Sequence, residues 1–318
     1  MSFGRPSEET KLSYGGYLRV PDLLTLQELR SDPAQHDELL FIVIHQVYEL
    51  WFKQVLHELG AVLRCLDRDE VLGADRLLRR CIEIQRVLVQ QLTVLETMTP
   101  VDFLAFRDHL MPASGFQSAQ FRELEYVSGM KDPRHLSIFD PESPEHAALT
   151  RRLGEATLPE AFYALLGRRG FDAPVTPPDA DERAQEDAYT RRTDALVRVY
   201  REAEQNYALL RLCESLIEFD EMFTLWRFRH VQMVERVIGA KPGTGGSDGA
   251  AYLRSTLARR AFPELWEARS RLGAAQAYES SPYASHAPPR PSGDASASPA
   301  TPDDGPAPGG GCPMGHSG

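Results

Sequence analysis

The sequence predicts an all-α fold: a single helical bundle followed by a disordered C-terminal tail. Apolar residues recur at helical spacing through most of residues 12–272, and no segment shows the alternating pattern that a half-buried strand requires. The composition, 42% hydrophobic and 25% charged, is that of a globular protein with a sizeable core. We therefore expect a flexible N-terminal arm (1–11), one helical domain (12–272) and the tail (273–318).

The first long helix is expected over residues 39–63, where apolar side chains occupy nearly every face, as is typical of a buried helix. A second long helix is expected over residues 69–97. Thr99 and Pro100, an N-cap residue followed by a proline at the first helical position, then open a short helix over residues 101–110. The first two helices are the most apolar, so we expect them at the centre of the bundle.

Further helices follow a break at residues 111–115. Apolar periodicity predicts them over 117–128, 145–153 and 159–166, then as two helices within 182–238, and finally over 250–260 and 263–272. Gly239 follows the last apolar position of residues 182–238 and is expected to cap that helix. A glycine-rich loop over residues 239–249 separates this helix from the next one.

Charge and cysteine usage exclude several classes of protein. The net charge of −11 argues against nucleic acids and acidic membrane surfaces as partners, because both favour clustered Lys and Arg. No run approaches about 18 uncharged apolar residues, so no transmembrane helix is expected, and the charged N-terminus is no secretory signal. The four cysteines form no CxxC pair, which favours free thiols in the reducing cytoplasm.

The C-terminal residues 275–318 contain no Leu, Ile, Val or Phe but hold nine of the 23 prolines. Such a segment cannot bury enough apolar surface to offset the entropy of ordering, so it is expected to be disordered. Its Cys312-Pro313 pair and His316 are types that can hold haem or a metal ion, although an inert site is favoured.

Two histidines lie on apolar helical faces. His45 shares its face with Phe41, and it is either a core residue or a ligand or base facing an apolar pocket. His230 shares its face with Trp226 and Arg227; this set suits a cofactor with an apolar body and anionic edges, such as haem, although a core histidine is the alternative. One histidine could bind iron while the other faces the ligand side.

Other metal and phosphate sites lack their motifs. No glutamate lies three residues before any of the nine histidines, as a carboxylate-bridged di-iron bundle requires, and the zinc motif HExxH is absent. The glycine-rich loop does not match a phosphate-binding loop, so we expect a mobile lid in which Thr244 offers a hydroxyl.

An arginine and a pair of tyrosines complete the candidates. Arg107 lies on a mostly apolar segment, where it could clamp a carboxylate or pair with a nearby acid, Asp102, Asp108 or Glu123. Tyr14 and Tyr17 precede the first long helix. They extend the N-terminal arm to residue 18, and this extended arm packs either on a neighbouring subunit or on its own chain.

Seven motifs occur in order along the helical domain. They are SYGGYL (13–18), HDELLFIVIHQ (36–46), ELWFK (49–53), FRD (106–108), ASGFQS (113–118), LWRFRH (225–230) and GTGG (243–246). Together they make the sequence similar to the tryptophan 2,3-dioxygenase family. No single motif would suffice for this resemblance.

The resemblance implies a cytoplasmic, homotetrameric haem b enzyme. Such an enzyme inserts both atoms of O2 into the indole C2–C3 bond of L-tryptophan and gives N-formylkynurenine, the first step of tryptophan degradation by the kynurenine route. His230 would be the proximal iron ligand, and His45 would be the catalytic residue on the distal side, near the indole N–H. Ser114, Gly115 and Arg227 would contact the haem.

The resemblance also implies a substrate pocket and leaves two alternatives. The pocket would comprise Phe41, Ile42, Val43, Ile44 and His45, then Phe103, Leu110, Arg107 on the carboxylate and Thr244 on the ammonium group, with Tyr14, Tyr17 and Leu18 reaching in from a neighbouring subunit. Phe103 stands where some members carry a tyrosine, so one hydrogen bond to the carboxylate is missing here. The alternatives are a haem dioxygenase for another indole and a non-catalytic haem-binding or haem-sensing protein.

Overall fold

The computed structural model describes residues 12–177, 179–239 and 250–273, without the side chains of residues 250 and 251. The described residues form helices and connecting turns and include no strand, so the predicted all-α fold is confirmed. The α-helices are α1 (Tyr14–Leu18), α2 (Val20–Leu23), α3 (His36–Asp67), α4 (Val71–Leu95), α5 (Pro100–Arg107), α6 (Ala119–Val127), α7 (Pro144–Gly154), α8 (Leu158–Arg168), α9 (Glu182–Arg201), α10 (Tyr207–Ile238), α11 (Ala250–Ser255) and α12 (Pro263–Arg271).

Two predicted helix ends have the expected caps. At the start of α5 the Thr99 hydroxyl accepts a hydrogen bond from Asp102 N at 3.3 Å, the Asp102 carboxylate accepts one from Thr99 N at 3.2 Å, and Pro100 begins the helix. At the end of α10, Gly239 has a φ of +64° and donates its N–H to the Glu235 carbonyl at 2.9 Å. The positive φ explains the glycine, since other residues rarely adopt it.

Three segments differ from the expected boundaries. The helix expected over 101–110 is α5 followed by a separate 3-10 turn at Asp108–Leu110. The helix expected over 117–128 begins as a 3-10 turn at Gly115–Gln117 and continues as α6. The helix expected over 250–260 already ends at Ser255. Such short turns depend on local capping bonds and not on apolar periodicity, which explains why the sequence pattern merges them.

Helix α4 lies between α3 and α10 and makes its largest packing contacts with these two helices. Their facing side chains form the core. The most deeply buried members are Leu59, Val62 and Leu66 of α3, Leu78, Ile82 and Leu92 of α4, and Leu212, Leu216 and Phe219 of α10. Truncating one such leucine to alanine costs about 2–5 kcal/mol, so this interface supplies much of the fold's stability.

Buried polar bonds fix the rotation of these three helices. Asp75 on α4 is 1% exposed and accepts hydrogen bonds from the Ser215 hydroxyl and the Arg211 guanidinium on α10, both at 2.6 Å. The Tyr48 hydroxyl on α3 donates to the Leu88 carbonyl on α4, also at 2.6 Å. Rotating any of the helices would leave a buried polar group without a partner, which is costly.

Helix α3 is not buried on every side, contrary to the expectation from its composition. Leu39, Val43 and Leu50 are 48%, 40% and 53% exposed in the single chain, whereas the later turns lie in the core. The reason is that α4 packs on one face of α3 and leaves the opposite face of its first turns uncovered. By length and composition alone α3 could also cross a membrane, although core helices of other globular proteins can be equally long and apolar.

Candidate functional site

A cavity of about 560 Å³ lies among α3, α4, α5, α6, α10 and α11. Its volume falls within the range usual for small-molecule and cofactor sites. Aromatic rings form much of its wall: Phe41, Tyr48, Phe52, Phe103, Phe116, Phe121, Trp226 and Tyr252. Stacked and edge-on rings of this kind suit a flat apolar ligand.

His45 faces this cavity from α3, with one ring nitrogen already engaged. Its Nδ1 lies 2.7 Å from the Phe41 carbonyl oxygen, which can only accept a hydrogen bond, so Nδ1 carries the proton. In the neutral ring Nε2 is then the acceptor. Burial lowers the pKa of His45, although the Phe41 carbonyl and the nearby Glu49 charge partly oppose this effect. At neutral pH the site therefore presents an uncharged imidazole with one acceptor nitrogen.

His230 lines the same cavity from α10. Its ring stacks on Trp226, with centroids 5.0 Å apart and planes inclined by 7°. Burial, together with the nearby His45, lowers the pKa of His230 to about 4. A neutral imidazole is the form that binds metal ions. No group of three or more His, Cys, Asp or Glu that could hold a metal occurs among the described residues.

Arg107 lines the cavity at the C-terminal end of α5 and is half-buried. Two of the acids that the sequence offered as partners have other described contacts. Asp102 closes the cap of α5 with Thr99, and Glu123 pairs with Arg152 at 3.2 Å. A planar guanidinium at this position can take a carboxylate through two parallel hydrogen bonds.

A buried charge cluster borders the cavity between α6 and α10. Glu125 accepts from Arg227 at 3.0 Å and from Arg122 at 2.6 Å, and all three side chains are at most 6% exposed. Two arginines thus share one carboxylate, which leaves one positive charge over. The Arg122 Nε has no hydrogen-bond partner among the described residues. The cluster is therefore suited to receive an anionic group from the cavity.

Sequence reasoning selected Arg227 for the anionic edge of a cofactor and missed Arg122. In the structure the Arg227 guanidinium is bonded to Glu125 and buried, and burial lowers its pKa. Arg122 lies on the buried side of α6, between the apolar residues Phe121 and Leu124 and three residues before its partner Glu125. An arginine on such a face was the available signal, because arginine is almost never buried without a partner.

The structure brings most of the predicted site residues to one place. Those that line the cavity are Phe41, His45, Phe103, Arg107, Leu110, Ser114, Gly115, Arg227 and His230. Ile42, Val43 and Ile44 do not, although they belong to the same predicted segment. At about 3.6 residues per turn, only Phe41, His45 and their successors at helical spacing face the cavity, while Ile44 packs in the core.

The remaining predicted residues lie away from the cavity or outside the residues that the structure describes. Tyr14, Tyr17 and Leu18 lie on α1, are 79%, 71% and 45% exposed, and do not line the cavity of their own chain. Thr244 lies outside the described residues, as do Cys312 and Pro313 of the tail.

The fold and the cavity define a helical binding protein that can enclose a flat apolar ligand and present two neutral imidazoles to it. The chain belongs to the tryptophan 2,3-dioxygenase family. The sequence profile of that family, described as Tryptophan 2,3-dioxygenase, matches residues 4–140 and 141–272. These ranges span every helix described above.

Bacterial proteins named tryptophan 2,3-dioxygenase are similar to most of this chain. The one from Nocardioides sp. (strain ATCC BAA-499 / JS614) is 50% identical over 283 residues, which cover 86% of this chain and 98% of that protein. The one from Anaeromyxobacter dehalogenans (strain 2CP-C) is 48% identical, with 82% and 96% covered. The one from Herpetosiphon aurantiacus is 48% identical, with 82% and 98% covered. The similarity thus extends across the helical domain and beyond any single motif.

Proposed function

We propose that this protein is a haem-dependent tryptophan 2,3-dioxygenase, which inserts both atoms of O2 into the indole C2–C3 bond of L-tryptophan and gives N-formylkynurenine. The observation that carries the proposal is the pair of neutral imidazoles, His45 and His230, in one aromatic cavity. The family membership of the chain supplies the reaction class.

The residues present fit haem b. His230 would ligate the iron, because burial keeps its ring neutral and its lone pair available. Arg122 would meet a carboxylate edge through its unpartnered Nε, while Arg227 and Glu125 hold Arg122 in place. Ser114 and Gly115 would contact the same group from the cavity wall. When bound, haem supplies the iron centre that activates O2.

The other face of the cavity fits a zwitterionic amino acid with an apolar ring. Phe41, Phe103 and Leu110 would surround the indole, and Nε2 of His45 would accept the indole N–H. Arg107 would clamp the carboxylate. Thr244 would meet the ammonium group, in a segment outside the described residues.

These residues act by binding and orientation. A neutral His45 holds the indole N–H by a hydrogen bond and adds no charge to the cavity. Arg107 holds the carboxylate at the opposite end of the substrate. The two contacts together present the C2–C3 bond in one orientation. Holding reactants in a productive geometry can supply several kcal/mol of the rate acceleration. Phe103 has no hydroxyl. Arg107 therefore holds the carboxylate without the additional hydrogen bond that a tyrosine at position 103 would donate.

We infer that four copies assemble and that the arm of one copy reaches the cavity of a neighbour. Two apolar surfaces support this: Tyr14 and Tyr17 on α1, and Leu39, Val43 and Leu50 on α3 are all at least 40% exposed in the single chain. Clustered exposed apolar residues mark interaction sites. A cytoplasmic location agrees with the free thiols of the three described cysteines.

Substitution of the two histidines tests the assignment. His230→Ala should purify without the normal Soret band, because the iron loses its protein ligand. His45→Ala should retain haem but form less kynurenine-type product in an O2-dependent absorbance assay, because only a hydrogen bond is lost. His57→Ala, on an exposed face of the same helix as His45, is the matched control and should behave as wild type.

A full, unshifted Soret band in His230→Ala would overturn the ligand assignment. Loss of haem in His45→Ala alone would reverse the two roles. A wild-type protein that binds haem and forms no product from tryptophan under O2 would overturn the proposed activity.

A further inference from the structure

Glu49 lines the cavity one helical turn after His45 on α3, and its carboxylate is held by neutral donors. Its Oε1 accepts from the Ser118 hydroxyl at 2.6 Å, and its Oε2 accepts from the Gln120 side-chain amide at 2.7 Å. The same amide donates to the Glu49 backbone carbonyl at 3.0 Å. Among the described residues no Lys or Arg forms an ion pair with Glu49. Its charge is therefore stabilised by these two side chains.

Ser118 is the junction between two elements of the cavity wall. Its N–H donates to the Gly115 carbonyl at 3.2 Å and ends the 3-10 turn Gly115–Gln117, while its hydroxyl accepts from Phe121 N at 3.2 Å and begins α6. The other hydrogen bonds that the turn makes with described residues are internal, such as that from Gln117 N to the Ser114 carbonyl at 2.9 Å. Within the described part of the chain, the bond from Ser118 to Glu49 thus connects the turn to α3.

We propose that Glu49 is a positioning residue that fixes the 114–118 segment against α3 and so sets the distance between His45 and the opposite wall of the cavity. A carboxylate suits this task because its two oxygens accept from two donors in different directions. Beside an apolar cavity an ionised carboxylate is costly unless it is hydrogen-bonded. The arrangement in which both Ser118 and Gln120 reach it is therefore favoured over any displaced one.

Four variants of the haem-loaded protein test the proposal: Glu49→Ala, Ser118→Ala, the double variant, and Glu49→Gln, which keeps one acceptor for Ser118. Two quantities are measured: hydrogen exchange of the Gln117 and Ser118 amides, and the dissociation constant of tryptophan from the change in the Soret band. The second quantity rests on the proposed function, whereas the first does not.

We expect each alanine variant to speed exchange of these amides and to weaken tryptophan binding by about tenfold, with haem content retained. The double variant should bind tryptophan no more weakly, and exchange these amides no faster, than the single variant with the larger effect, because both substitutions remove the same connection. Glu49→Gln should recover most of the loss. Glu58→Gln is the matched control, since Glu58 is a buried carboxylate on the same helix, paired with Arg80 at 2.8 Å and away from the cavity, and it should change neither quantity.

Unchanged amide exchange and unchanged tryptophan affinity in both single variants would overturn the proposal. Effects that add in the double variant would also overturn it, because the loss in Ser118→Ala would then come from the cap of α6 alone. If Glu49→Ala fails to fold, Ser118→Ala and Glu49→Gln decide the matter. If wild type does not bind tryptophan, the proposed function fails, and amide exchange still decides the role of Glu49.

Discussion

The two cavity histidines are uncharged for the same physical reason. Each imidazole lines the aromatic cavity, where desolvation disfavours the protonated form. The sequence identified His45 and His230 because each lies on an apolar helical face. The sequence could not assign the proton on the His45 ring, because that depends on the contact with the Phe41 carbonyl in the folded helix.

The protonation of His45 predicts the acid side of the pH profile. Because the pKa of His45 is lowered from 6.5, the ring stays neutral as the pH falls through that value, and its acceptor nitrogen is lost only at lower pH. Glu49, on the same helix, raises this pKa, and His230 on α10 is also nearby. We expect kcat/KM to fall on acidification only below pH 6.5, and we expect this fall to be absent in His45→Ala. A fall above that value, or one unchanged in the variant, would contradict the assignment.

Removal of Arg107 should weaken substrate binding and spare the cofactor. Truncating one partner of a buried charged hydrogen bond costs on the order of 2–5 kcal/mol, so Arg107→Ala should raise the dissociation constant of tryptophan at least about 30-fold. Arg107→Lys should recover part of this loss, since it keeps the charge but not the paired geometry. Soret titration measures affinity and haem content together.

Arg151→Ala, which removes a 64% exposed arginine, serves as the control for Arg107 and should bind tryptophan as wild type does. An unchanged tryptophan affinity in Arg107→Ala would show that the carboxylate is held elsewhere. Loss of haem in that variant would place Arg107 on the cofactor instead.

At the scale of helices, apolar periodicity was sufficient to find the long elements and insufficient for the short ones. The pattern predicted α3 and α4 to within a few residues, and it predicted the start of α9 and the end of α10 but not the break between these two helices, because each helix buries a continuous stripe. The turn Gly115–Gln117 could not be predicted, since it is held by capping bonds and by a contact from Ser118 to a residue 69 positions away. The exposed face of α3 could not be predicted either, because composition does not show which faces a neighbour covers.

Asp220 on α10 ties the last described helix to the bundle. It is 1% exposed and accepts hydrogen bonds from Ala261 N and the Trp266 indole, both at 2.9 Å, and from Phe262 N at 3.3 Å. Asp220→Ala leaves these donors unsatisfied and should lower the free energy of unfolding by about 3 kcal/mol or more. Urea unfolding of the wild-type and variant holoproteins measures the loss, provided that the two proteins have the same m value.

The matched control for Asp220 is Asp194→Ala on α9. Asp194 also contacts α12, through Arg271 at 3.1 Å, but it is 67% exposed. A pair this exposed contributes little, because solvent screens it. Equal losses in the two variants would contradict the role assigned to Asp220.

At the scale of the whole molecule, the sequence named residues that the fold then brought together. Phe41, Arg107 and His230 are far apart in the chain and line one cavity, which no local pattern can show. The net charge of −11 is a sum over the whole chain, and it gave no sign of the buried positive charge around Glu125. Local charge depends on which side chains meet, and composition does not contain that information.

Mixed assemblies test whether the arm acts on a neighbouring subunit. A chain without residues 1–18 keeps its own His45 but lacks Tyr14, Tyr17 and Leu18, whereas a His45→Ala chain has the arm and a defective cavity. Co-expression should give activity well above that of either chain alone, because the intact arm completes the intact cavity. Light scattering should show four copies. A monomer, or no recovery of activity, would contradict the proposed assembly.

The first turns of α3 have a further consequence for concentration dependence. Leu39 and Val43, exposed on its outer side, alternate along the same turns with Phe41 and His45, which face the cavity. Contacts that cover the outer pair would therefore restrain the backbone that carries the inner pair. By thermodynamic linkage, assembly and tryptophan binding would then strengthen each other equally. Dilution would lower substrate affinity, and substrate would hold the copies together.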